Sequence, residues 1–253
     1  IFYYICLVKR ILTIISCSAA LALTTYFNLA KAQETLPIYQ QYLLGGEFLI
    51  NPALYGETDD VVLNLNYQKQ FSSFSESPNV QSVGLHANVF DRVGAGLSFF
   101  RDQNGPISAN GIIAGLSYFI PLSDDERKDQ FSFGTGVNFY NMNIDYGLLN
   151  PEQSGDPVLQ DGTNSIFIAY ANLGMAAKFK SFFAGVSVLD IPLSNDIPIV
   201  NGIEPSPIKI ISNLGYDWHL SEGLYISPSV LWNLNTNSTR IVDYNIMGTA
   251  HGE

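Results

Sequence analysis

From residue 61 onward, apolar side chains occupy every second position, the spacing of an extended strand whose two faces meet different surroundings. Val61, Leu63, Leu65 and Tyr67 alternate with Asn64, Asn66, Gln68 and Gln70. Val83, Leu85, Ala87 and Val89 alternate with Ser82, Gly84, His86 and Asn88. The same period runs through Val93–Phe99, Ile112–Ile120, Phe131–Phe139, Phe167–Phe179, Phe182–Val188, Leu214–Trp218, Leu224–Trp232 and Val242–Ala250, so ten strands are predicted. Several approach the roughly nine to eleven residues that a tilted membrane strand needs. The second face is built from Gly, Ser and Asn with few charges, whereas a soluble sandwich would display Lys and Glu there. An all-β, antiparallel, up-and-down transmembrane β-barrel is therefore expected over residues 59–253. The competing reading is a soluble sandwich with an ordinary aromatic core.

Short connections are expected at 90–92, 123–129, 180–181 and 220–223, and long ones at 72–79, 101–108, 141–163, 190–207 and 233–239. Outer-membrane barrels have short periplasmic turns and long outward loops, so this parity starts the first strand on the periplasmic side. Phe71, Phe74, Phe99, Phe100, Tyr118, Phe119, Phe139, Tyr140, Trp218 and Trp232 lie near strand ends, as an interfacial girdle would. A closed barrel pairs its last strand with its first. The ending Ala250-His251-Gly252-Glu253 carries no terminal aromatic, so the barrel is read as C-terminally truncated, with an even number of further strands.

Residues 1–32 have a different character. Lys9 and Arg10 precede an apolar run, Ile11 to about Leu23, and Ala30-Lys31-Ala32 follows, the layout of a secretory signal peptide. A retained anchor is the alternative, although Thr24, Thr25 and Asn28 break the run short of a full span. Both cysteines, Cys6 and Cys17, fall here, so the exported remainder could not rest on disulfides or Cys-metal sites. Residues 33–58 form a separate N-terminal segment, periplasmic or lumenal, with Pro37 and Pro52 interrupting regular structure and Asn51-Pro52 reading as a turn.

Composition narrows the function. Charged residues make up 14% of the 253, against about 25% in average soluble domains, and 47% apolar residues exclude disorder. A net charge of -11 with only 12 Lys+Arg excludes a nucleic-acid partner. Without residues 1–32, nine basic residues face 23 acidic ones, a charge of -14. Catalytic constellations are scarce: His86, His219 and His251 lie far apart, and His86 shares the polar face with Ser82 and Asn88. The expectation is a non-enzymatic chain without cofactor or metal. Asn141, Asn143, Asp145, Asn150, Glu152, Asp156 and Asp161 make the 141–163 connection oxygen-rich, which leaves calcium open although the spacing is not that of an EF-hand. Gly94-Ala95-Gly96 sits inside a strand pattern, where glycine relieves crowding or marks a bend rather than cradling phosphate. The 190–207 connection, with prolines and exposed Ile and Val, either docks a protein or folds back over the barrel mouth.

Two motifs carry a resemblance. Pro37, Tyr39, Gln41 and Tyr42, followed by Asn51-Pro52-Ala53 and Gly56, resemble the opening signature of the PorP/SprF family of type IX secretion. The run from Val93 through Gly94, Gly96, Phe99 and Asp102 to Gly105 is similar to the family's later strand motif. The chain departs at Thr35-Leu36-Pro37, where the family often has Gln-Asp-Pro, and in lacking the family's further strands. The resemblance implies an outer-membrane barrel of FadL-like architecture with roughly fourteen strands. It also implies a role, in gliding and related Bacteroidota, in secreting or anchoring large adhesins and other cargo at the surface. Implied partners are a cargo C-terminal domain, the translocon components, and membrane lipid with lipopolysaccharide. The rival function is an outer-membrane channel for hydrophobic or small solutes; a channel needs a continuous lumen, whereas an anchor tolerates a plug from residues 34–56.

Overall fold

Alternating apolar residues dictate extended chain, and short turns force each strand back along its predecessor. A computed structural model describes residues 46–69, 77–123, 129–145, 163–193, 207–221, 224–236 and 240–250, all within the unit Glu34–Glu253. The segment read as a signal peptide, and the motif residues Pro37, Tyr39, Gln41 and Tyr42, lie outside the described residues. The strands are β1 (Val62–Lys69), β2 (Asn79–Phe90), β3 (Val93–Asn104), β4 (Ile107–Pro121), β5 (Gln130–Asp145) and β6 (Thr163–Phe179). They continue with β7 (Phe182–Pro192), β8 (Lys209–Tyr216), β9 (Trp218–Ser221), β10 (Leu224–Asn235) and β11 (Arg240–Ala250). All join one antiparallel sheet whose order follows the chain, with β9 continuing β8 past Asp217 and pairing with β10. The fold is all-β and up-and-down, and β1 and β11 sit at opposite ends of the pairing order. The expected Leu214–Trp218 strand begins earlier, at Lys209, and is interrupted at Asp217.

The outer face is a continuous apolar belt. Register aligns Leu65, Val83, Phe99, Ile112 and Phe139 across β1–β5, and Tyr118, Phe133, Met175 and Val186 across β4–β7. Many of these side chains are exposed, Leu65 at 72% and Met175 at 49% among them. A belt crossing every strand far exceeds the few hundred Å² of apolar patch that a water-soluble surface carries. On β4 it runs from Ile112 to Ile120, about 27 Å of strand. At the usual tilt of roughly 35–45° that covers about 20 Å of bilayer normal, near the height of a barrel's apolar band.

Two expectations need correction. The connection predicted at 101–108 is a tight turn of Gly105 and Pro106, because β3 runs to Asn104 and β4 starts at Ile107. Gly105 takes φ +58, a conformation open to glycine at little cost. Polar residues there mark strand rising beyond the apolar belt rather than loop, and strict alternation of short and long connections fails. Likewise Asn141, Asn143 and Asp145 belong to β5, while the rest of the oxygen-rich group lies outside the described residues. The second correction concerns the girdle: Phe100, Phe119 and Tyr140 are buried on the inner face at 5%, 3% and 1% exposure. Neighbouring strand residues point to opposite faces, so adjacent aromatics cannot all face outward.

Candidate functional site

Residues 46–57 lie on the inner face and cross the strands. Two short 3-10 turns, Glu47–Leu49 and Pro52–Leu54, build the segment. Asn51 caps the second by accepting the Ala53 N–H at 3.0 Å, and Pro52 occupies the first helical position, where a missing N–H costs nothing. Phe48, Asn51, Ala53 and Tyr55 are each less than 5% exposed.

The sheet receives this segment on a floor of small residues. Pairing aligns Gly94, Ser117, Gly134, Gly174 and Ser187 in one inward row across β3–β7, and Gly96, Gly115 and Gly136 in the next. The segment follows the first row residue by residue. The Ser187 hydroxyl donates to the Ile50 carbonyl at 2.6 Å, and the Asn51 side-chain amide donates to the Met175 carbonyl at 3.1 Å. The Pro52 carbonyl lies over Gly134, and the Tyr55 carbonyl over Gly94 accepts from the Ser117 hydroxyl at 2.5 Å. The Gly56 N–H then donates to His86 Nδ1 at 3.0 Å, and Phe48 packs on the His86 ring with centroids 4.4 Å apart. That bond requires an unprotonated Nδ1, so His86 serves as an acceptor for main chain. Gly56 itself has φ +63, and a Cβ there would meet the Ala87 carbonyl at 2.7 Å. Irregular backbone away from water needs such partners, and the polar face of the strands supplies them.

Below the segment is a cavity of about 210 Å³ lined by Glu57, Gln130, Lys178, Asp217, Tyr225 and Ser227. Burial raises the Glu57 carboxyl above its ordinary value; Lys178 opposes this and Asp217 adds to it. Burial also raises the Tyr55 phenol, keeping it neutral. On the inner face nearer the long connections, Phe100, Ile113, Tyr140, Met142, Ile168 and Tyr170 form a hydrophobic cluster. Beside it Lys209 and Asp190, both under a tenth exposed, pair at 3.6 Å, and the Asp190 N–H donates to Asn172 Oδ1 at 2.9 Å.

The sequence-derived site residues therefore separate. Asn51, Pro52, Ala53, Gly56, Gly94 and Gly96 come together, the Tyr55 ring lying over Gly96. Phe99 points outward, Asp102 is half-buried near the far end of β3, and Gly105 makes the β3–β4 turn. Missed from the sequence are Phe48 and Tyr55, which lie in no strand, and Ser117, Gly134, Gly174 and Ser187, which only strand register brings together. Among the described residues no group of three or more His, Cys, Asp or Glu gathers to hold a metal. A family model for "Type IX secretion system membrane protein PorP/SprF" matches residues 31–251. No curated protein and no solved structure matches the chain.

Proposed function

Because this chain belongs to the PorP/SprF family of type IX secretion system membrane proteins, we propose that it is an outer-membrane barrel closed by its own N-terminal segment. It acts without catalysis, supporting secretion or surface anchoring of large adhesins and other cargo. The observation that carries this reading is the seating of residues 46–57 across five strands. A solute channel would need that floor clear, whereas a docking partner beside the translocon needs a rigid outer surface and no lumen. The exposed apolar belt favours a membrane location, and the short turns at Asp91-Arg92 and Lys180-Ser181 favour entry of the segment from the periplasm. Residues 1–32 then act as the export signal, and a cargo C-terminal domain is the partner this role calls for.

The test is gene deletion with complementation, read by antibody labelling of a large adhesin on intact cells. Deletion should abolish labelling while solute uptake stays normal, and the intact gene should restore it. Undisturbed labelling with failed uptake of one solute would sink the secretion reading in favour of the channel.

A further inference from the structure

The outer face of β1–β5 changes character within one register step. The row Leu65, Val83, Phe99, Ile112 and Phe139 is apolar throughout. The next outward row toward the long connections is Tyr67, Gln81, Arg101, Asn110 and Asn141, and the one after it is Lys69, Asn79, Gln103, Ser108 and Asn143. This is where hydrocarbon gives way to headgroups, and Tyr67 sits at that depth as interfacial aromatics do. The two polar rows contain two cations and no carboxylate, although the chain has 23 acidic residues against 12 basic ones. Neither Lys69 nor Arg101 forms an ion pair with any described residue. Beside Arg101, and one register step below Lys69, the surface opens into a groove of about 510 Å³, lined by Leu65, Tyr67, Gln81, Val83, Phe99 and Arg101.

We propose that this groove binds a phosphate-bearing lipid of the outer leaflet, with Arg101 holding the phosphate, Lys69 as a second cation, and the acyl chains lying over Leu65, Val83 and Phe99. The inference rests on the outer-membrane placement above but not on the secretion role. A guanidinium at the edge of hydrocarbon is costly to leave without a counter-charge, and its planar fork matches phosphate oxygens bidentately. A groove apolar on one side and cationic on the other fits an amphiphile better than a free anion or a protein.

The test uses the full-length protein in phosphatidylcholine nanodiscs, with diphosphoryl lipid A as probe and retained lipid counted by native mass spectrometry. Arg101→Gln should lower retention about tenfold, as losing a charge-assisted hydrogen bond would, and Lys69→Gln by a smaller factor. Added salt should weaken retention in the wild type. Heat-modifiable migration checks that each variant folds. Equal retention by R101Q and wild type overturns the proposal. So does displacement of lipid A by millimolar inorganic phosphate, which would make this a free-anion site. Loss of lipid from R101Q with intact adhesin display leaves the proposal standing and separates it from the secretion role.

Discussion

The inner face fills its two halves in opposite ways. Toward the short turns, glycine and serine from β3–β7 leave a trough, and a separate stretch of main chain lies in it. Toward the long connections, Phe100, Ile113, Tyr140, Met142, Ile168 and Tyr170 from the same sheet fill the space themselves. The first half is held by hydrogen bonds from side chains to an irregular backbone and depends on absent side chains. The second is held by dispersion and apolar burial and depends on large ones. One alternating pattern thus supports two contents, decided by side-chain volume at inward positions.

The largest way to break this contrast is to fill the trough. A Cβ at Gly94 would collide with the Tyr55 carbonyl and one at Gly134 with the Pro52 carbonyl, both backbone atoms with no rotamer to escape into. The double variant Gly94→Val, Gly134→Val should expel residues 46–57, seen as new proteolytic cleavage there in the detergent-solubilised protein. Gly248→Ala, which meets open space, should cleave as wild type does. Continued protection of the double variant would mean the floor does not seat the segment.

A smaller effect tests the other half. Ile168, 1% exposed, should cost about 2–5 kcal/mol on replacement by Ala, measured by urea unfolding in vesicles. The trough should not notice: coupling to Asn51→Ala in a double-mutant cycle should stay within about 0.5 kcal/mol. Stronger coupling would make the two halves one unit.

The smallest effect is a pH dependence confined to the segment. Glu57 is raised above 4.5 chiefly by burial, so seating favours the protonated carboxyl. The stabilisation is full below pH 4.5, where carboxyls of the seated and free segment are both protonated. It is lost as pH rises toward the raised seated value, because only the free segment ionises in that window. The protection factor of the Tyr55 amide, taken relative to its intrinsic exchange rate at each pH, should fall over that range in wild type and hold steady in Glu57→Gln.

Strand positions and the lipid-facing side were legible in the sequence because period two is a local property. Even there, the polar run Arg101–Asn104 was misread as loop, since strands leaving a membrane turn polar before they turn around. Asn51-Pro52 was legible as a turn from its own two residues. Its partners were not: Ser187 is 137 residues from Ile50, and Ser117 is 62 from Tyr55.

The sequence by itself determined that alternate residues face apart, which face is apolar, and where glycine is placed along each strand. Only the tertiary structure decided that glycines and serines from five strands fall in one row, that main chain lies along it, and that Arg101 sits at the upper edge of the apolar belt. The reason is physical: strand character follows from each residue and its neighbours, while a seat across strands exists only once hydrogen-bond register has set distant residues side by side.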